Sequence, residues 1–271
     1  MTNRSTRRTA AIAATVIIVV VAISIGFYAL GRSTATPPPT TPPTTGASTP
    51  ASPTLTPTYS PTDQNGSPET GLSHGTATAG KGGSTTGPAG LPLSYSHDQA
   101  GAVNAATNYL TWMNSLRITD KANADAMADR AAANPTTGAA LIESFDDIRS
   151  GMKDLTGDEP QPARGAYAVA AYSADRALVY IWAPEVTTDV NGQATHLWAI
   201  DAIQLVWNSG DWKLDQTLIV KTGAAAVDPS NPAGNPSAAE KHSILTRTPA
   251  DPGAITDTAD QTWLEYSNAP H

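Results

Sequence analysis

Cysteine is missing from this chain of 271 residues, and phenylalanine occurs only twice. Without a thiol the chain can form no disulfide framework, no cysteine-ligated zinc site and no thiol nucleophile, and it cannot carry the lipidated cysteine of a lipoprotein anchor. Any chemistry that the chain performs must therefore come from oxygen and nitrogen groups.

Motifs for several other chemistries are missing too. The glycine-rich stretch GKGGSTTG follows no predicted strand, so it lacks the context of a phosphate loop. The sequence DVNGQ starts like a calcium loop, but Ile200 stands where such a loop needs its twelfth-position glutamate. The five histidines do not have the spacing of a zinc site. We therefore predict no metal and no cofactor.

Acidic residues do not occur within residues 1–32, although four of the 16 bases do. In the rest of the chain twelve bases therefore face 24 acids. A region this acidic repels phosphate, because like charges raise the free energy of the complex. The balance argues against direct nucleic-acid binding.

A long hydrophobic run does occur, at residues 10–31, and it is uncharged. A helix of about twenty apolar residues spans the hydrocarbon core of a bilayer. Three arginines precede the run and only Arg32 follows closely, which favours a cytoplasmic segment 1–9 and an exterior remainder. The alternative is a cleaved signal peptide, whose apolar region is shorter, about 7–15 residues. We predict a single-pass cytoplasmic membrane protein, anchored through residues 10–31.

Two segments have too little apolar surface to offset the entropy of ordering them. Residues 32–90 are rich in Pro, Thr, Gly and Ser, which predicts a disordered stalk. Residues 223–271 return to a similar composition and predict a mostly disordered tail. Within that tail, residues 261–270 contain side chains able to dock on a folded domain.

The folded domain is predicted at residues 91–222. Three stretches have helical spacing: one capped by Ser96 and Gln99, one capped by Thr119 and one that starts after Pro135. Four stretches rich in Val, Ile, Tyr and Trp follow, separated by short turns such as Asn191-Gly192. Three helices packed on a four-stranded antiparallel meander give an α+β domain.

This order of elements, which ends in the hairpin VWNSGDWKL, resembles an NTF2-like cone over residues 93–222. With an anchor and a stalk before it, the layout resembles the TcpC/VirB-type bitopic assembly proteins of conjugation and type IV secretion machines, including those of actinobacterial elements. The resemblance implies an extracytoplasmic scaffold that contacts other membrane or envelope proteins or further copies of itself. The stalk is longer than the linkers of those proteins.

Candidate functional residues are few. Trp207 and Trp212 flank the turn of the last hairpin and should face each other across the strands, and Trp263 lies in the docking segment of the tail. Asp201 is the one carboxylate inside a strongly apolar strand, so it is a weak candidate for a general base. The alternative is that this face of the strand is partly solvated, or that Asp201 pairs with Arg164 or Lys213.

Two functions remain open. The first is a non-catalytic scaffold or interaction module, and the second is a small-ligand-binding or acid–base enzyme domain of NTF2-like type. An enzyme needs a pocket with converging polar groups, whereas a scaffold fills that space with side chains. The sequence supplies large residues to fill it, so we predict the scaffold and no enzyme. These residues are Leu141, Phe145, Tyr167, Tyr180, Trp182 and Trp198.

Overall fold

The computed structural model describes residues 72–192, 194–222, 245 and 261–270. Three α-helices lie in the first half of this region: α1 Gln99–Met113, α2 Lys121–Ala131 and α3 Pro135–Gly151. Nine strands are present: β1 Ser73–His74, β2 Thr85–Thr86, β3 Pro92–Leu93, β4 Leu155–Pro160, β5 Ala166–Tyr172, β6 Arg176–Asp189, β7 Ala194–Asn208, β8 Asp211–Thr222 and β9 Trp263–Glu265.

Aspartate and asparagine side chains start the helices. Asp98 Oδ1 accepts a hydrogen bond from the Gly101 amide at 2.6 Å, and Ser96 only supports this carboxylate through its hydroxyl. Asp120, one residue after Thr119, caps α2 in the same way. Both predicted caps are therefore wrong, because an ionised carboxylate is a stronger acceptor than the nearby hydroxyl. Asn134 caps α3, which begins at Pro135 itself and not after it as predicted.

The sheet is larger than the sequence predicts. It has seven strands in the order β1-β9-β5-β6-β7-β8, with β4 paired beside β5 on the same edge of the long strand β6, while β2 and β3 form a separate pair. β1 precedes the helices and runs parallel to β9. The predicted fold class, with three N-terminal helices on a four-stranded antiparallel meander, is therefore wrong, and the fold is mixed α/β. Strands of two or three residues are too short to show an alternating pattern.

The two faces of β6 and β7 have different neighbours. Alternate residues such as Ile181 and Ile203 belong to the hydrophobic core that includes residues of α1, α2 and α3, and we call this side the inner face. The other side, the outer face, holds an aromatic group together with Leu245 and Trp263. Three residues expected to fill the space under the helices lie instead on this outer face: Tyr180, Trp182 and Trp198. The prediction of a filled interior therefore rested partly on residues from the opposite side.

Both flanks of the predicted domain are part of the sheet. β1, β2 and the start of β3 lie within or next to the predicted stalk, so ordered structure begins before residue 91. Residues 261–270 dock on the domain, since β9 pairs with β5 and Tyr266 is fully buried. The predicted cytoplasmic segment, the membrane span 10–31 and the first forty residues of the stalk lie outside the described residues. Within the described residues no helix is long and apolar enough to cross a membrane.

Candidate functional site

Asp201 lies near the middle of β7, directly opposite Ile181 of β6. Because Ile181 packs against the helices, the Asp201 side chain also faces inward. Neither predicted ion pair forms: Lys213 Nζ contacts the Arg130 carbonyl at 2.5 Å and Asp211 Oδ2 at 3.5 Å, and Arg164 donates to Gln161 Oε1 at 3.1 Å. Asp201 is thus an inward-facing carboxyl group with no cationic partner in the described chain.

Two further carboxyl groups share this face, and the sequence analysis missed both. Glu185 is four residues beyond Ile181 on the same strand, and Asp158 of β4 lies opposite Thr187. The Asp158 and Glu185 carboxyl groups influence each other's pKa. β4, β6 and β7 thereby bring three acids, Asp158, Glu185 and Asp201, to one side of the sheet. We call these residues the acid triad.

The environment holds protons on the acid triad. Burial is the main cause for all three groups, because it disfavours the charged form of a carboxyl. Burial, with the nearby charge of Glu185, raises the pKa of Asp201 to about 8. Burial also raises the pKa of both members of the Asp158–Glu185 pair, and for Asp158 the repulsion from Glu185 adds to the effect. Such carboxyls can exchange protons near neutral pH or bind a cation.

The triad borders space that solvent can reach. Ala199 and Asp201 are only half-buried although β7 has a neighbouring strand on each side, so the helices do not seal this part of the inner face. Asp158 also lines a groove of about 330 Å³ with Ser115, Leu116 and Gly157. Asp158 itself is only 6% exposed, and its Oδ1 atom has no hydrogen-bond partner. An unpaired buried oxygen is costly, which makes it the least satisfied acceptor of the site.

The predicted tryptophan pair forms at the other end of the same sheet. Trp207 and Trp212 lie directly opposite each other, with ring centroids 5.4 Å apart at 70°. Ser209 and Gly210 form the two-residue turn between them, both with positive φ. His97 stacks on Trp207 at 3.9 Å and 7°, so the half-buried face of Trp207 is covered by the chain itself.

The rings of this hairpin are held as part of the core. Trp212 is fully buried, its Nε1 donates to the Ser96 carbonyl at 3.0 Å, and its carbonyl accepts from the Tyr109 hydroxyl at 2.7 Å. Trp263 is also buried, next to Tyr180 on the outer face. All three predicted interaction tryptophans are thus packed within this molecule, and Trp207 is the most accessible of them.

Sequence patterns could have located one of the two missed acids. Glu185 follows the apolar stretch ALVYIWAP, and alternation from Ile181 places it on the inner face. Asp158 gives no such signal, because β4 contains Gly157, ends at Pro160 and has an irregular register after Leu155. Among the described residues no three His, Cys, Asp or Glu side chains have the geometry of a metal site.

The comparisons with known proteins give one family. No curated protein and no solved structure matches the chain. The model of a domain of unknown function, DUF8175, matches residues 31–231, which include the acid triad, the tryptophan hairpin and all three helices. Since that match covers well over half of the 271 residues, the chain belongs to the DUF8175 family.

Proposed function

We propose that this chain is a membrane-anchored interaction module, displayed outside the cytoplasm, that binds a partner without transforming it. The observation that carries the proposal is the junction of the two flanking segments at one edge of the sheet. β1, which lies within the predicted stalk, pairs in parallel with β9, which lies within the predicted tail. β9 pairs in turn with β5 of the domain.

Hydrogen bonds continue this junction beyond the strands. The Gly75 amide donates to the Glu265 carbonyl at 2.8 Å, and the Ser267 amide donates to the Ala77 carbonyl at 2.9 Å. The hydroxyls of Thr78 and Ser267 are 2.6 Å apart, and Asn268 bonds the Ala79 backbone through both its amide atoms. The chain therefore enters its domain at a fixed edge, which suits a domain held at the end of a stalk.

Sequence features support the placement in the membrane. The uncharged run at residues 10–31 follows three arginines, and only Arg32 follows the run closely. The resemblance to TcpC/VirB-type assembly proteins supports a role among other envelope proteins. In its most specific form, the proposal is a component of a conjugation or type IV secretion-like apparatus.

Cysteine labelling in intact cells tests the topology. Because the chain has no cysteine of its own, only the introduced thiol can be labelled. Val190 is 62% exposed, so Val190→Cys offers an accessible thiol. We expect a membrane-impermeant maleimide to label Val190→Cys in intact cells and to label Ser5→Cys only after lysis. Labelling of both variants, or of neither, in intact cells would contradict the proposed orientation. A mature N-terminus between residues 30 and 37 would contradict the anchor.

A second function, small-ligand binding or acid–base catalysis, is favoured by one observation. Asp201 is half-buried and its pKa is raised to about 8, which is the condition expected of a general acid or base at neutral pH. Asp201→Asn distinguishes the two functions in a cellular assay, with the exposed Asp147→Asn as the matched control. An interaction module keeps its activity in both variants. An acid–base enzyme loses activity only in Asp201→Asn.

A further inference from the structure

We infer that the end of the predicted stalk, residues 62–71, occupies an open groove on the outer face of the sheet, with its acidic side chains toward Arg176. The groove lies at the turn between β5 and β6 and measures about 320 Å³, and we call it the turn groove. The inference goes beyond the proposed function, because it concerns how the domain is joined to its stalk and does not depend on where the chain is anchored.

The turn groove belongs to the outer face but is not part of its buried cluster. Leu178 packs against that cluster, and Ala171 of β5 and Gln204 of β7 lie directly opposite Leu178, so the three side chains share one face. Arg176 and Asp215 also line the groove. Leu178 and Gln204 are only half-buried and Ala171 is exposed, so this part of the face is open.

The described chain begins beside the groove and runs away from it. Leu72 packs against the outer cluster. β1 is parallel to β9 and β9 is antiparallel to β5, so β1 is antiparallel to β5, and the register places Leu72 level with Ala168. Each residue before Leu72 therefore lies one step further toward Ala171, where the groove begins.

Residues 62–71 are long enough to fill the groove. From the level of Leu72 the groove begins about 10 Å along the sheet, which is the rise of the three residues from Ala168 to Ala171, and about 10 Å to the side, which is two strand spacings. The direct distance is thus about 14 Å, whereas ten extended residues span about 33 Å. The remaining length can lie in the groove itself.

Two polar groups of the groove lack a full set of partners within the described residues. The Gln204 side chain makes no hydrogen bond, and the Arg176 guanidinium uses one of its five donors, toward Asp215. The Arg176 side chain is 73% exposed, so its ion pair with Asp215 contributes little and leaves donors for a second carboxylate. The groove therefore offers an amide to a peptide backbone and a guanidinium to an acid.

The sequence of the stalk end, TDQNGSPETG, matches these groups. It contains two acids, Asp63 and Glu69, and no base. Pro68 fixes its own φ and favours an extended residue before it, which suits a segment that lies along a groove. A carboxylate of this segment that reaches Arg176 accepts a charge-assisted hydrogen bond, and the free backbone groups beside it can pair with the Gln204 amide.

Disulfide exchange in the full-length chain, purified in detergent, tests the placement, because the chain has no cysteine of its own. Ser67→Cys is combined with Ala171→Cys in the groove or with the exposed Gln161→Cys as a control. The Gln161 amide bonds the Pro184 carbonyl, which places it about 13 Å from the level of Leu72 in the opposite direction along the sheet. We expect the groove pair to have at least ten times the effective thiol concentration of the control pair against glutathione.

A change of charge separates specific seating from chance contact. Arg176→Gln, added to the groove pair, should lower the effective concentration about threefold or more, because the stalk end loses its charged partner. Arg117→Gln makes the same change at an exposed arginine in the other groove and should leave the value unchanged. Melting temperatures check that each variant is folded, and Arg176→Lys, which keeps the charge, should restore part of the effect.

Four results would overturn the inference. The groove and control pairs could have equal effective concentrations, or Arg176→Gln could change nothing. A disulfide between two chains would place the stalk of a second copy in the groove. A pair of Thr258→Cys and Ala171→Cys that exchanges more readily than the groove pair would make the segment before Trp263 the occupant. The proposed function survives each of these results, because cysteine labelling in cells reports topology alone.

Discussion

The two faces of β6 and β7 show how one pair of strands can support two different environments. On the inner face the strands carry Glu185 and Asp201 beside aliphatic residues, and solvent reaches part of the surface. On the outer face the same strands carry Tyr180, Trp182 and Trp198, all buried. Neighbouring residues of a strand point to opposite faces. Residues that are adjacent in the sequence can therefore lie on the face with the carboxyl groups or on the face with the aromatic cluster.

Hydrogen bonding distinguishes Trp212 from the aromatic residues of the outer face. Trp212, on the inner side, donates its Nε1 hydrogen to Ser96. On the outer face the polar atoms of Tyr180, Trp182 and Trp198 are buried without a partner. The outer aromatic cluster is therefore stabilised by apolar contacts, whereas Trp212 also fixes the segment around Ser96 through its hydrogen bond.

The largest expected effect comes from removal of the inner ring. Trp212→Ala should lower the free energy of unfolding by about 3–5 kcal/mol, because it deletes a fully buried ring and leaves the Ser96 carbonyl without its donor. Chemical denaturation measures the change. Trp207→Ala, at the half-buried partner ring, should cost about half as much. If Trp207→Ala lowered the free energy of unfolding more than Trp212→Ala does, the hairpin would be stabilised mainly by the contacts of the half-buried ring.

A matched pair of substitutions tests the contrast between the faces directly. Trp212→Phe removes a ring nitrogen that is hydrogen-bonded, and Trp182→Phe removes one that is not. We expect Trp212→Phe to be the more destabilising by about 1–2 kcal/mol, since its loss leaves a buried acceptor unpaired. Equal losses measured in urea for the two variants would show that volume alone matters on both faces.

The pH dependence of stability should come from the inner face. The pKa of Asp201 is raised to about 8 in the folded chain, above its value near 4 when unfolded. The folded state thus holds a proton that the unfolded state has released, so this contribution to stability is complete below about pH 4 and is lost as the pH rises through 8.

Asp201→Asn should remove that part of the pH dependence. Because Asp201 is half-buried and partly screened by solvent, we expect a gain of only about 1–2 kcal/mol at pH 9 and little change at pH 4. Melting temperatures of the parent, Asp201→Asn and Asp147→Asn across this range provide the measurement. The parent should lose stability relative to Asp201→Asn between pH 5 and pH 9. A stability that changes with pH in the same way in both proteins would contradict the assignment.

The smallest expected effect concerns the docked C-terminal segment. The Tyr266 hydroxyl is 2.9 Å from Thr107 Oγ1, which also bonds the Val103 carbonyl. Tyr266→Phe should therefore cost about 0.5–1.5 kcal/mol, the net worth of one buried hydrogen bond. Thr107 keeps its other bond, so a loss above 3 kcal/mol in denaturant would show that the segment undocks as a whole.

Local patterns predicted the helices and long strands of this chain better than their assembly. The spacing of Leu141, Phe145 and Ile148 predicts α3, and the turn residues around Trp207 and Trp212 predict that those rings face each other. These features depend on residues close in sequence. The helix caps were each missed by one or two positions, because hydroxyl and carboxyl groups compete for the same amides.

The fold class and the acid triad depend on distant residues. Alternation correctly places Asp201 on the face of Ile203, yet nothing in that strand shows that Asp158 and Glu185 approach the same space. Trp182 and Trp198 were expected under the helices because sequence alone does not show which side of a sheet they cover. That choice is made by contacts with Leu245 and Trp263, which are far along the chain.

The pairing of Ser73 with Leu264 joins residues that are 191 positions apart. Contacts of such long sequence separation form late, because most of the chain must be in place before the two ends can meet. A polypeptide synthesised from its N-terminus holds β1 and an unpaired edge of β5 until β9 is made. The residues of β9 therefore decide when the sheet edge closes, and a chain truncated before Trp263 leaves that edge open to pairing with other strands.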